Sequence, residues 1–201
     1  MFKKILVMVS ILVFISTTSV FAEVIDFEDV VSEPGGKIVD PYKGFNWNND
    51  RDFSVVNASN YGFIGSGYHT LDPDGVVGYN AYGYDPIIIN RDDGSLFDFI
   101  GADFAGAWNS ADIHVEGWIG STMIDSVVMG IDTNFVTNLV ANFSNIEFLK
   151  IYSVGSDDQW CMDNFEYEVG NTAPVPEPAT MILFGIGLTG LISIHYKRKK
   201  S

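Results

Sequence analysis

Asp112-Ile113-His114-Val115-Glu116-Gly117-Trp118-Ile119, followed by the pair Gly120-Ser121 and then by Thr122-Met123-Ile124-Asp125-Ser126-Val127-Val128-Met129-Gly130-Ile131, is the stretch that decides the fold. Its first eight residues alternate. Ile113, Val115 and Gly117 fall on one side of an extended chain, and Asp112, His114, Glu116 and Trp118 fall on the other. β-Branched residues crowd the second run. The Gly-Ser pair between the runs suits a two-residue hairpin in which glycine supplies the positive φ of the first turn position. Such a hairpin belongs to an antiparallel sheet with one buried and one wet face.

Working outward, the same signature recurs. Short apolar and aromatic runs broken by Gly, Asn, Asp and Pro place strands at 24–28, 44–48, 53–57, 76–80, 87–90, 96–99, 102–105, 112–119, 122–131, 135–140, 146–153 and 161–169. Long helical periodicity is absent. This many short strands predict one all-β domain, residues 23–170, built as a sandwich. Residues 62–83, rich in Gly, Tyr, Asn and Asp, read as a long exposed loop holding at most one strand. Phe97, Phe99, Phe104, Phe148 and Phe165 read as packing residues. Cys161 is the only cysteine, so no internal disulfide forms, and a free cysteine usually serves as a small buried hydrophobe.

Both ends of the chain differ from this domain. Lys3 and Lys4 precede an apolar run at 5–15, a polar stretch at 16–19 and Val20-Phe21-Ala22, which predicts a signal peptide over 1–22 cut between Ala22 and Glu23. An uncleaved anchor is the alternative, but the run is short for a span. At the other end, a linker at 171–180 contains Val175-Pro176-Glu177-Pro178-Ala179-Thr180, an apolar helix is predicted over 181–196, and a basic tail occupies 197–201. Pro176 and Pro178 lack amide donors and keep the chain extended around Glu177. Gly185, Gly187 and Gly190 are tolerable in lipid, and Lys197, Arg198, Lys199 and Lys200 hold the end on the cytoplasmic side. A plain anchor that is never cut is the alternative here.

A Pro-Glu-Pro element, a hydrophobic helix and a basic cluster in this order resemble the PEP-CTERM sorting signal of Gram-negative bacterial surface proteins. The resemblance implies that an integral-membrane exosortase recognises Val175 to Thr180 and removes the helix, commonly in organisms that make exopolysaccharide. It implies an inner-membrane precursor with a periplasmic domain, then delivery to the cell surface or extracellular matrix. Three further pieces, Val24 to Asp29, Phe104 to Trp108 and Met162 to Tyr167, look like landmarks of the exported domains that often accompany this tail. That likeness implies a jelly-roll-like β-sandwich, flanked by the signal peptide and a C-terminal transmembrane helix.

Charge restricts the partners. Six of the eleven basic residues lie at the two ends, at 3–4 and 197–200, while residues 23–178 carry the other five basic and all 26 acidic residues, a balance of −21. Nucleic acid and anionic lipid are poor partners for such a surface, because phosphate binding depends on neutralisation by Lys and Arg. Neutral sugars, divalent cations and basic partners fit, and solubility alone also explains the acidity.

Several side chains stand out as candidates. Asp112, His114 and Glu116 at alternate positions either converge on a metal ion or form an ordinary wet strand face. Alternation places Asp163 with Cys161, Phe165 and Tyr167 on an apolar face, where a carboxylate must be satisfied. A structural Ca²⁺ held by oxygens of Glu28, Asp29 or Asp163 would do so, as would hydrogen-bonded capping without metal. Trp47, Tyr68 and Tyr82 lie in segments that mix aromatics with Asn and Asp, a composition suited to sugars. Catalytic motifs are missing: there is no Gly-x-Ser-x-Gly, no His-Glu-x-x-His and no phosphate-cradling Gly-x-x-x-x-Gly-Lys. The expectation is a non-enzymatic structural or adhesive component associated with exopolysaccharide; the alternative is a carbohydrate-binding module, and a polysaccharide hydrolase or lyase comes third.

Overall fold

A computed structural model describes residues 22–30, 36–38, 40–47, 53–83, 85–154 and 159–169. The body of the signal peptide, the Pro-Glu-Pro motif, the 181–196 helix and the basic tail lie outside the described residues. Ala22 and Glu23, the expected cleavage pair, are exposed at the start of the domain. Among the described residues no helix is long and apolar enough to cross a membrane.

The strands are β1 (Glu23–Ile25), β2 (Gly36–Lys37), β3 (Phe45–Asn46), β4 (Phe53–Asn57), β5 (Val76–Asn80), β6 (Ile87–Arg91), β7 (Phe97–Gly106), β8 (Ala111–Ile119), β9 (Thr122–Ile131), β10 (Thr137–Ile146), β11 (Phe148–Ser153) and β12 (Trp160–Val169), with one short helix α1 (Gly67–Leu71). A seven-stranded sheet runs β10-β7-β12-β5-β4-β2, with β1 on the far part of β12, and a five-stranded sheet runs β3-β6-β11-β8-β9. The pairings are antiparallel, so the chain forms a jelly-roll-like sandwich. The hairpin of β8 and β9 closes with Ile119 opposite Thr122 and with Gly120 at φ 54°.

Aromatic residues fill the space between the sheets. Phe45, Trp47, Phe53, Phe97, Phe99, Phe104 and Phe165 are all buried. Trp47 stacks on Phe53 at 5.3 Å, and Phe45 meets Phe165 and Tyr167 edge-on. A second apolar cluster lies on the outer face of the seven-stranded sheet, where Tyr68 of α1 covers Val56, Val77, Ala105, Ala107 and Cys161. Cys161 is the buried small hydrophobe expected, with its thiol on the Ala105 carbonyl.

Four readings of the sequence need correction. Strands expected at 96–99 and 102–105 are one strand, β7. Gly101 does not break it; a Cβ there would stand 2.0 Å from the Leu139 carbonyl oxygen, so the glycine permits close approach of β10. The strand expected at 135–140 starts at Thr137 and continues to Ile146. The one strand expected within 62–83 is β5, but the remainder is no bare loop: a 3-10 turn (Tyr61–Phe63) and α1 form there, because Tyr68 finds an apolar surface to cover. Finally, alternation along β12 is interrupted by a bulge. Asn164 sits at φ 49° and the register to β7 shifts between Asp163 and Glu166. Trp160 and Met162 therefore share the inner core with Phe165 and Tyr167, while Cys161 and Asp163 face outward.

Candidate functional site

The most developed polar and aromatic surface is the outer face of the five-stranded sheet. Ile113, Val115, Leu149 and Ile151 point into the core, which turns His114, Glu116 and Trp118 of β8 outward. Register then brings the alternate residues of β11 beside them: Phe148 opposite Trp118, Lys150 opposite Glu116 and Tyr152 opposite His114. The Trp118 and Phe148 rings are nearly parallel, at 3° and 6.1 Å between centroids, and His114 lies over Tyr152 at 4.9 Å.

Glu116 is the pin of this face. It is only 7% exposed, and its carboxylate accepts hydrogen bonds from the Trp118 indole at 2.9 Å and the Tyr152 hydroxyl at 2.7 Å, with Lys150 Nζ at 3.6 Å. Burial by itself would raise its pKa, but the donors Tyr152 and Trp118 and the Lys150 charge outweigh burial and hold the carboxyl below its ordinary range. The same bond, with burial, pushes Tyr152 up to about 12. Lys150 Nζ stands 4.7 Å from the Tyr152 ring centroid. The Trp118 and Tyr152 rings are thus fixed by their polar tips and Phe148 lies against Trp118, leaving apolar faces beside donors and acceptors. Along β6 the surface continues into a hollow of about 380 Å³ lined by Ile88, Asn90, Arg91, Gly94, Glu147 and Phe148.

Sequence reasoning found one half of this face, from the wet side of residues 112–119, and read it either as an ordinary wet strand face or as ligands of a metal. In the structure Glu116 is committed to Trp118, Tyr152 and Lys150. Phe148, expected in the core, is half-buried on the outer face. Its alternation with Lys150 and Tyr152 was visible, but the pairing of β11 with β8 was not.

The other expected ligand-contacting residues divide. Trp47 is fully buried, donates to the Tyr42 carbonyl and belongs to the core. Tyr68 is 2% exposed, and Tyr82 is half exposed. Of the expected metal-ligating set, Asp29 is drawn away to Tyr42 and Lys43. Glu28 accepts from the Val76 amide at 2.7 Å and lies with Asp72 against Gly75. Asp163 is 5% exposed and accepts from the Asn164 amide at 2.7 Å. Burial first, then the fields of Asp72, Glu28 and Asp26, pushes its pKa up to about 7. Glu28 and Asp163 are therefore neighbours electrostatically, but among the described residues no group of three or more His, Cys, Asp or Glu is arranged to hold a metal ion.

Comparison with known proteins adds the following. Residues 174–199 match the model of the PEP-CTERM protein-sorting motif, so the tail carries that sorting signal. No curated protein matches the chain. Among solved structures, the chain resembles the N-terminal CBM22-1–CBM22-2 tandem domain of Xyn10C from Paenibacillus barcinonensis, at 11% identity and a TM-score of 0.48, covering 81% of this chain and 49% of that one. The chain thus spans about half the length of that tandem. It also resembles TmCBM61 in complex with β-1,4-galactotriose, at 11% identity, a TM-score of 0.39 and coverage of 71% and 92%. A third similar structure is the family 11 carbohydrate-binding module of the cellulosomal cellulase Lic26A-Cel5E from Clostridium thermocellum, at 8% identity, a TM-score of 0.35 and coverage of 76% and 96%.

Proposed function

We propose that this chain is an exported adhesive component of the cell surface or extracellular matrix, released from its membrane tail by exosortase, and that it holds neutral polysaccharide on the outer face of its five-stranded sheet. The observation that carries the reading is the pair of near-parallel rings Trp118 and Phe148, beside a buried Glu116 that fixes both Trp118 and Tyr152. A pyranose ring presents an apolar C–H face and a rim of hydroxyls. Flat aromatic faces with adjacent donors and acceptors match both parts, and their rigidity lowers the entropic cost of binding. The surplus of acidic residues selects for an uncharged polymer.

Binding fits this face better than hydrolysis does. A glycosidase acid needs a carboxyl whose pKa is raised, whereas Glu116 is shifted downward by its donors.

Native-gel retardation by galactomannan, mixed-linkage β-glucan and arabinoxylan, with polygalacturonate as the anionic counterpart, tests the proposal. At least one neutral polymer is expected to retard the protein. Trp118→Ala is expected to weaken that interaction about tenfold, ~1.4 kcal/mol, while the variant still melts cooperatively as a folded protein. Retardation by the anionic polymer alone, or co-fractionation with polymer that never saturates, would remove the specific glycan site and leave a purely structural matrix role.

A further inference from the structure

A second aromatic hollow lies on the opposite outer surface, that of the seven-stranded sheet. Phe63 of the 3-10 turn, Tyr68 of α1, Tyr79 of β5 and Trp108 just beyond β7 enclose about 220 Å³, with Gln159 and Ala81 at its base. Trp108 is 51% exposed. Its ring lies 6.0 Å from Phe63 at 30°, and Tyr68 meets both Phe63 and Trp108 edge-on. Trp108 is thus held by its neighbours with one part of its indole open to solvent.

Gln159 organises the base. Its Oε1 accepts from Trp108 Nε1 at 3.1 Å and from the Tyr68 hydroxyl at 3.4 Å, and its Nε2 donates to the Ala81 carbonyl at 2.6 Å. A carboxamide has two protons, and among the described residues only the one on the Ala81 carbonyl is matched to an acceptor. Burial keeps the Tyr68 phenol protonated, and the residues that line the hollow are uncharged near neutral pH. The hollow therefore offers aromatic faces and an amide but no formal charge. Its volume is below the roughly 300 Å³ at which drug-sized ligands begin to be enclosed, which limits it to about one ring.

We infer that this hollow is a second carbohydrate site, taking a single neutral pyranose unit at a chain end or branch, and that one molecule bridges two polysaccharide strands through sites on opposite faces of the sandwich. The inference rests on the reading of the Trp118 face as the first site. Bridging is a property that neither face has alone, and it would give a small domain an adhesive action within a polymer.

The test uses the full chain in mild detergent, with whichever neutral polymer of the panel retards it most. Trp118→Ala, Trp108→Ala, Gln159→Ala and the Trp108/Trp118 double variant are compared for retardation and for the turbidity or viscosity that cross-linked polymer produces. Thermal melts confirm that each variant is folded. Both single tryptophan variants are expected to bind at least tenfold more weakly and to lose bridging, Gln159→Ala to follow Trp108→Ala, and the double variant to lose binding. If Trp108→Ala and Gln159→Ala bind and bridge like the native protein, the second site is overturned while the Trp118 face stands. If Trp118→Ala changes nothing and Trp108→Ala abolishes binding, the first-site reading and bridging both fall. Quenching of tryptophan fluorescence by tetramethylammonium in the native protein but not in Trp108→Ala, with no such response to methyl β-glucoside or methyl β-galactoside, would show a cation cage and overturn the carbohydrate assignment.

Discussion

Asp163 is a carboxyl placed where ionisation is costly: 5% exposed, one backbone donor on its side chain, and the fields of Asp72, Glu28 and Asp26 around it. Burial and these fields push its folded pKa up to about 7, well above the 3.8 of an ordinary aspartate. The folded protein therefore holds a proton between these values that the unfolded chain releases. Stability falls as pH rises through that window, by up to about 1.4 kcal/mol per pH unit, and its contribution is fully recovered only below the unfolded pKa. Asp163→Asn keeps an acceptor for the Asn164 amide and removes the charge. It is expected to raise the melting temperature at pH 7.5, by roughly 2–4 °C per kcal/mol recovered, and to leave it nearly unchanged at pH 4. Melts at the two pH values decide the matter. A lower melting temperature for the variant at pH 7.5, accompanied by loss of stability in native protein treated with chelator, would instead make Asp163 a ligand of structural Ca²⁺. That this aspartate needed a partner was legible from its neighbours Cys161 and Phe165. Which face it occupied was not, because the bulge at Asn164 depends on how β12 meets β7 and leaves no period in the sequence.

At the scale of elements, the sequence was most legible where periodicity and turn chemistry agree, as in β8, Gly120-Ser121 and β9. It was least legible where glycine serves packing instead of turning, as at Gly101, and where a short apolar helix is stabilised only by the sheet beneath it, as with Tyr68 of α1. The Trp118 face follows the same division. Each strand's alternation showed which residues were outward, but the site is made by cross-strand register, which single-strand periodicity does not contain. β9 carries a further consequence. It ends its sheet, spans ten residues with Asp125 as its one charge, and exposes Met123, Ile124 and Val128. An edge of this length and composition favours pairing with another chain. Ile124 sits where the β8–β9 register shifts, 47% exposed, so Ile124→Lys adds charge without removing a core contact. The variant is expected to melt within about 0.5 kcal/mol of the native protein, yet to scatter less light after heating and cooling. Equal scattering would show that aggregation begins elsewhere, and a large loss of stability would show that Ile124 packs in solution.

At the scale of the whole molecule, sorting and binding make different demands on the same chain. The PEP-CTERM motif at residues 174–199 contains the basic residues that a membrane precursor needs, while the domain that precedes it is strongly acidic. Once the terminal segments are gone, self-repulsion between acidic domains keeps them dispersed and weakens as salt rises. The two glycan sites proposed above would be useful only in that freed state, since a domain tethered to a membrane by its tail would reach little of the polymer outside the cell. Processing should therefore be a condition of adhesion. Intact mass of the protein recovered from the surface or matrix is expected to lack residues 1–22 and the segment from 181 onward. Pro176→Ala and Pro178→Ala together remove both prolines of the sorting element, so the variant is expected to keep its C-terminal segment, remain in the membrane fraction and fail to join the matrix while its polysaccharide binding in detergent is unchanged. Native protein that still carries residues 181–201 would mean that exosortase does not cut this tail, and the domain would act as an anchored receptor on the periplasmic side.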